Sequence, residues 1–209
     1  MKRRLIILGF ALVAIIGFFA WWSYEHSFQR LSVILDPQVK SADIFPNEGE
    51  GHVPESDDPI KALSSSQEFK LKKGSYVLVT KTSGSLASQT VYFELQDTKV
   101  NLTVSPGYTE QELKSLLVSE QVLINQTFNS KYSNASAGYA VQNGQLFRRG
   151  EWFGAVLVPA GTTQDTLRFV MQKKDGKWTV VTDPPEIVLS SMVYPDTPKE
   201  ILQAVNSLQ

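Results

Sequence analysis

The most hydrophobic stretch of the chain lies near its amino terminus. Residues Leu5–Trp22 read LIILGFALVAIIGFFAWW and contain no charged side chain. As an α-helix rising about 1.5 Å per residue, the stretch extends about 27 Å, close to the bilayer's hydrocarbon thickness of about 30 Å. It is apolar on every face, unlike a helix at the surface of a globular domain. The pattern predicts a transmembrane helix over residues 5–24.

Basic and aromatic residues flank this stretch and predict its orientation. Lys2–Arg4 mark residues 1–4 as the cytoplasmic end, and the two tryptophans suit the opposite membrane interface. A cleavable signal peptide is the alternative, but bulky residues follow the apolar run where a cleavage site needs small ones. The prediction is an uncleaved signal anchor in a single-pass membrane protein, with most of the chain extracytoplasmic. The residues expected to contact the lipid bilayer are Leu5, Phe18, Trp21 and Trp22.

Short runs with period-two alternation follow a spacer at residues 25–30. Alternation over short runs separated by turn residues favours antiparallel strands. Segment 37–67 is rich in proline, glycine and acidic residues, which is typical of a long loop. The sequence predicts a small all-β domain, a β-sandwich with a long acidic loop, over residues 31–106. Its expected strands lie within Leu31–Leu35, Phe69–Thr82, Val91–Leu95 and Val100–Val104.

The periodicity changes after residues 105–107, which read Ser-Pro-Gly. Thr109 and Glu112 form a capping box, a signature of a helix amino terminus. Apolar residues then recur near helical spacing up to Phe128. This pattern predicts one long or two short helices within residues 109–130.

Strand-like runs return in the last third of the chain. Asn143-Gly144 and Asp175-Gly176 are dipeptides typical of two-residue hairpin turns. The expected strands are Gly138–Val141, Gln145–Arg149, Trp152–Pro159, Leu167–Met171, Lys177–Val181 and, at an edge, Glu186–Ser190.

A second capping box predicts the last helix. Thr197 is its expected cap, Pro198 takes the first helical position and Glu200 completes the box. Residues 107–209 are therefore predicted to form an α+β domain, with helices packed on a curved antiparallel sheet. The predicted fold class is a transmembrane helix, then an all-β domain, then this α+β domain.

The two predicted domains resemble known families. Leu71, Gly74 and Tyr76 match the Leu-x-x-Gly-x-Tyr signature of PEGA-type β-sandwich modules, although the acidic insertion departs from that pattern and the PEGA tetrapeptide is absent. The order of elements in residues 107–209 is similar to the NTF2-like (cystatin-like) α+β domains. Neither family carries one chemistry. Their membrane-anchored members are often binding or assembly factors in the cell envelope, so the resemblance implies a binding role.

Charge and cysteine content narrow the classes of function. Beyond Lys2–Arg4 the chain contains 17 basic and 21 acidic residues, so this part of the chain is mildly acidic. Nucleic-acid binding needs a basic surface and is therefore not expected. The chain has no cysteine, which excludes thiol nucleophiles, thiolate metal sites and disulfides. An extracytoplasmic protein without disulfides favours a bacterial source.

Residues for catalysis or for holding a cofactor are sparse. His26 and His52 lie beside the apolar stretch and in the acidic loop, where neither is placed for a triad or a zinc site. The acids of Glu48–Asp58 could bind calcium, but they lack the EF-hand order, which favours a solvated loop. No cofactor is expected. The carboxylates of the second domain, in which no spacing singles out a pair, are Glu112, Glu120, Glu151, Asp165 and Glu186.

One local feature suggests a partner-binding site. Arg148, Arg149 and Trp152 combine basic and aromatic side chains that could hold an anionic group or a sugar ring. The alternative is a hairpin with surface arginines, in which Trp152 and Phe153 face opposite sides of the sheet.

These observations favour a non-catalytic, membrane-anchored envelope protein that binds or scaffolds a protein, peptide or glycan. One alternative is a carboxylate-dependent enzyme, such as a glycan hydrolase, with its site in the second domain. Another is a structural subunit of a membrane complex. An enzyme predicts a concave pocket within residues 109–209 that contains an acid of raised pKa. A binding module predicts an exposed apolar or aromatic patch.

Overall fold

The structure divides into two compact units. A computed structural model describes residues 15, 17–18, 21–24, 26–47, 58–96, 99–133, 138–161 and 164–209. Unit 1 comprises Met1–Ser83 and Ser88–Pro106, and unit 2 comprises Gly84–Ala87 and Gly107–Gln209.

The predicted transmembrane helix is contradicted. Among the described residues, every helix is too short or too polar to cross a bilayer. The helical residues described near the amino terminus are Ile15, Gly17, Phe18, Trp21–Tyr24 and His26, whereas a span needs about 20 consecutive apolar residues. The predicted signal anchor, single-pass arrangement and extracytoplasmic location depended on that helix and are corrected with it. Leu5 and most of the predicted segment lie outside the described residues.

Unit 1 consists of two sheets that enclose one core. One sheet has the order β4-β1-β7, with β1 antiparallel to β4 and parallel to β7, and the other is antiparallel with the order β3-β2-β5-β6. Alternate apolar residues of β1 and β5 point inward, as their period-two pattern predicts. The strands are β1 (Phe28–Leu35), β2 (Ser41–Pro46), β3 (Lys61–Leu63), β4 (Gln67–Lys72), β5 (Gly74–Lys81), β6 (Thr90–Leu95) and β7 (Val100–Val104).

Part of the predicted acidic loop is strand. Segment 37–67 contains β2 and β3, and β2 buries Ala42, Ile44 and Phe45. Its polar residue Asp43 is also buried and forms an ion pair with Lys81 at 2.5 Å. The turn residues around β2 predicted a loop. β2 is nevertheless a strand, because it is buried between its neighbours β3 and β5. Residues 48–57 of this segment lie outside the described residues.

Unit 2 is an antiparallel four-stranded sheet with a helix on each face. The sheet has the order β11-β10-β9-β8, so consecutive strands are neighbours. The long helix α1 and the short helix α2 contribute to separate apolar clusters. The elements are α1 (Glu110–Lys131), β8 (Tyr139–Phe147), β9 (Trp152–Pro159), β10 (Leu167–Lys174), β11 (Lys177–Val180) and α2 (Lys199–Asn206).

Strand β9 lies at the centre of these two clusters. Phe153, Ala155 and Leu157 face α1, whereas Trp152 belongs to the cluster around α2. A strand covered on both faces reads as a continuous apolar run instead of an alternating one. This explains the sequence WFGAVLVP, in which only the last two residues are partly exposed.

The helix and hairpin predictions for unit 2 are correct in part. α1 is one helix of 22 residues, and the Thr109 side chain accepts a hydrogen bond from the Glu112 amide, as the capping box predicts. Asp175-Gly176 forms the predicted turn between β10 and β11, with both residues at positive φ. The second capping box is wrong, because Pro198 is the N-cap of α2 and no side chain caps this helix.

Two further strand predictions need correction. Asn143-Gly144 is not a turn but a bulge within β8, and the chain reverses instead at residues 148–151. Glu186–Ser190 is not a strand, since only Glu186 makes a single bridge, to Arg168. The predicted fold class is therefore replaced: the described part of the chain consists mostly of strands in three sheets, with few helices.

Candidate functional site

The three residues of the predicted partner-binding site do not share one exposed surface. Arg148 lies in the β8–β9 turn at a φ of 58°, and its Nη2 donates to the Glu200 carboxylate at 2.6 Å. This bond lowers the pKa of Glu200 and links the turn to the first turn of α2. Arg149 is partly buried.

Trp152 belongs to the core of unit 2. Its side chain is 3% exposed and packs in the cluster that contains Val170, Ile201 and Val205. The ring therefore offers no face on which a sugar could stack. Of the three predicted residues, Arg148 alone is exposed, and a partner-binding role for it stays a prediction.

A groove of about 760 Å³ lies elsewhere in unit 2. This volume falls within the range typical of ligand sites, about 300–1,000 Å³. Its walls come from the first half of α1, the second half of β8 and the residues that follow α2. The lining residues are Tyr108, Glu110, Leu113, Lys114, Leu117, Asn143, Gly144, Gln145, Leu146, Phe147, Ser207, Leu208 and Gln209.

The bulge in β8 shapes one side of the groove. The pairing register with β9 shifts between Gln142 and Gln145, and Asn143 adopts a φ of 51°. A Cβ at Gly144 would lie 2.7 Å from the Phe153 ring, so only glycine allows the backbone to approach the core this closely. The Asn143 amide donates a hydrogen bond to the main-chain oxygen of Gln209. The bulge therefore joins the strand edge to the residues after α2.

The rim of the groove is electrically neutral. Glu110 and Lys114 form an ion pair at 2.6 Å, and both side chains are largely exposed. The Lys114 hydrogen bond lowers the pKa of Glu110, so this carboxylate stays ionised at neutral pH. Glu110 and Lys114 are the two charged side chains among the described lining residues.

Neither Glu120 nor Glu200 has the raised pKa that a general acid needs. Glu120 accepts hydrogen bonds from the Lys173 ammonium at 2.7 Å and the Trp178 indole at 2.8 Å, and the Lys173 bond chiefly lowers its pKa. The pKa of Glu200 is lowered too. A catalytic acid at neutral pH needs a raised pKa.

Two tyrosines organise the segment that follows β11. The Tyr194 hydroxyl donates to Glu186 at 2.9 Å, and burial raises its pKa to about 12. Burial also raises the pKa of Tyr132, whose hydroxyl donates to the Thr182 carbonyl at 2.7 Å. Both phenols are neutral at physiological pH, and their bonds hold residues 182–186 in place.

Most of the candidate metal residues lie outside the part of the chain that the structure describes. Among the described residues, no group of His, Asp and Glu side chains is placed to hold a metal ion. His26 stacks on the Trp22 ring at 4.2 Å between centroids. His52 and most of the acidic segment lie outside the described residues.

An exposed apolar loop is a second surface feature of unit 2. Ile187, Val188, Met192 and Val193 are all at least half exposed, and Met192 is 91% exposed. The loop is attached to the end of α2, because the Asn206 side chain forms hydrogen bonds with both the amide and the carbonyl of Leu189. Exposed apolar residues on an ordered loop are typical of a contact surface.

Sequence patterns did not reveal the groove. Leu113 and Leu117 follow helical spacing, which predicts only that they pack against the sheet. The available signal was Asn143-Gly144 inside a period-two run, since an isolated glycine in a strand indicates a bulge. Its interpretation as a hairpin turn concealed that β8 is one strand.

Comparisons with known proteins do not assign the chain to a family. No family model matches the chain, and no curated protein matches it. A DUF3823 family protein from Parabacteroides merdae is similar with a TM-score of 0.26 and 16% identity, over 62% of this chain and 56% of that one. A DUF3823 family protein from Bacteroides ovatus has a TM-score of 0.25 and 11% identity, over 73% of this chain and 95% of that one.

The chain thus spans 56% of the length of the Parabacteroides protein. TM-scores this low support no argument about fold or function. The PEGA-type and NTF2-like resemblances stay predictions.

Proposed function

We propose that unit 2 is a non-catalytic binding module that takes up a polypeptide segment of a partner in the groove between α1 and β8. The observation that carries this proposal is the composition of the groove. Leu113, Leu117 and Leu208 provide apolar walls, and the rim has one compensated ion pair. Apolar walls with a few polar groups at the rim are typical of ligand sites.

The nature of the lining favours a peptide over a glycan. Sugar rings stack on exposed aromatic faces, whereas leucine side chains predominate among the large groups here. Aliphatic walls suit the apolar side chains of a polypeptide because they remove those side chains from water.

A carboxylate-dependent enzyme is less well supported by the same groove. Glycoside hydrolysis needs two carboxyl groups that flank the scissile bond. Among the described lining residues, Glu110 is the one acidic side chain, and its pKa is lowered. The groove meets the geometric requirement for an active site, but no acid of raised pKa lies among its described lining residues.

Panning a phage-displayed library of random nonapeptides on the full chain tests the proposal. Gln145 and Gln142 are both exposed on β8, but only Gln145 lines the groove. Gln145→Trp should obstruct the groove and weaken selected peptides about tenfold or more, equivalent to about 1.4 kcal/mol of binding free energy. Gln142→Trp is the matched control and should bind like the wild type in fluorescence polarisation.

A third variant separates the groove from the exposed loop. Met192→Glu places a charge on the loop 187–193 and leaves the groove unchanged. If Met192→Glu abolishes binding while Gln145→Trp has no effect, the groove is the wrong site. If panning enriches no peptide, the proposed function itself is wrong.

A further inference from the structure

The binding mode follows from the position of β8 in its sheet, provided that the proposed function holds. β8 is the last strand in the order β11-β10-β9-β8, and among the described strands it pairs with β9 alone. Alternate backbone N–H and C=O groups of an edge strand point away from the sheet and can pair with an added strand. The groove lies along Asn143–Phe147, the second half of this strand.

Apolar walls flank this edge on both faces of the sheet. Leu113 and Leu117 pack with the cluster on the α1 face, which contains Phe153. Phe147 and Leu208 pack with the cluster on the opposite face, which contains Trp152. An added strand would therefore place its alternating side chains against apolar groups on both sides. This is the environment that β9 already has.

The residues just before α1 already bond to the turn between β8 and β9. The Tyr108 amide donates to the Arg148 carbonyl at 2.7 Å, and Tyr108 itself lines the groove. A Cβ at Gly107 would lie 2.9 Å from that same oxygen, so the two backbones approach closely. This internal pairing limits an incoming strand to residues before Arg148.

We infer that the groove binds its partner by strand addition, with an extended, uncharged and apolar segment pairing along the Gln145–Phe147 edge of β8, the part of the groove wall that follows the bulge. Charge supports this class of ligand, because the two charged side chains among the described lining residues, Glu110 and Lys114, neutralise each other. Three strand residues extend about 10 Å at about 3.4 Å each, so about three ligand residues pair with this edge. Main-chain pairing provides affinity, and the walls select apolar side chains.

Backbone N-methylation of a library-selected nonapeptide tests the inference. Methylation at one position removes one N–H donor and leaves the side chain unchanged. In an added strand only every second residue bonds to β8, so alternate positions should lose about tenfold or more in affinity, the equivalent of about one hydrogen bond. The positions between them should change little.

The outcomes separate this inference from the proposed function. Alternating losses in the wild type, with weak binding to Gln145→Trp throughout, establish strand addition in the groove. If Gln145→Trp blocks the peptide but N-methylation shows no alternation, the groove binds peptides in another mode and the inference is wrong. A selected peptide that Gln145→Trp does not weaken contradicts both.

Discussion

Two buried threonines show how the hydrogen bonds of a single side chain affect the stability of the fold. Thr182 is fully buried, and its hydroxyl oxygen accepts a hydrogen bond from the Val170 amide at 2.8 Å. Thr197 is 2% exposed, and its hydroxyl has no hydrogen-bond partner among the described residues. The sequence predicted Thr197 as a helix cap, yet α2 begins after Pro198. Its hydroxyl is therefore buried without the bond that would offset its desolvation.

Substitution of each threonine by valine should have opposite effects. Thr197→Val removes an unsatisfied buried hydroxyl and should raise the free energy of unfolding by about 1 kcal/mol. Thr182→Val leaves the Val170 amide unpaired and should lower it by about 1–3 kcal/mol. Denaturant titration of both variants measures the difference. A destabilising Thr197→Val would show that the hydroxyl has a role that the structure does not explain.

At the scale of elements, one ion pair connects the long helix to the sheet. α1 exposes Val118 and Val122, so the apolar pattern alone defines its buried face poorly. Glu120 receives hydrogen bonds from Lys173 on β10 and Trp178 on β11, and its carboxylate is largely buried. These bonds fix the rotation of α1 about its axis.

Glu120→Gln should destabilise unit 2 in a pH-dependent way. The variant leaves the partly buried Lys173 ammonium without its carboxylate and should cost about 1–3 kcal/mol at pH 7. The folded pKa of Glu120 is lowered, so its stabilising contribution is present above the ordinary value of 4.5 and is lost as the pH falls through the folded pKa. Unfolding free energies of the two proteins should therefore differ at pH 7 and converge below pH 4.5. A difference that stays constant with pH would contradict the ion-pair explanation.

At the scale of the whole molecule, a short segment from within the first part of the chain belongs to the second unit. Gly84–Ala87 lies in sequence between β5 and β6, yet Leu86 forms a bridge with Tyr108. The Ala87 amide donates to Gly107 and the Thr109 amide donates to Ser85. The start of unit 2 therefore depends on residues that precede it by about twenty positions.

Leu86→Ala should lower the stability of unit 2, although Leu86 lies in sequence between β5 and β6, two strands of unit 1. Truncation of a buried leucine costs about 2–5 kcal/mol. Hydrogen exchange at the Ala87 and Thr109 amides should become faster, while the Thr80 amide, bonded to Gln89 within unit 1, should change little. Ile60→Ala, at an exposed position, is the control and should leave all three amides unchanged. Equal acceleration at Thr80 would show that Leu86 stabilises both units.

The sequence by itself determined the elements whose signals are local. Period-two alternation predicted most strands, the Thr109 box predicted where α1 begins, and Asp175-Gly176 predicted a turn that needs positive φ. Such patterns involve residues close together in the chain, so no distant partner is needed to interpret them.

Only the tertiary structure determined which of the local turn, capping and binding-site predictions were correct, and where a ligand can bind. Asn143-Gly144 forms a bulge in which Gly144 lies against the Phe153 ring, and Thr197 is buried instead of capping a helix. Trp152 resembled a binding residue but lies in the core, since both faces of the β9 sheet are covered. The groove joins residues near positions 113, 145 and 208, which no sequence spacing connects. Its apolar walls meet only because a helix and the residues after α2 flank the same strand edge.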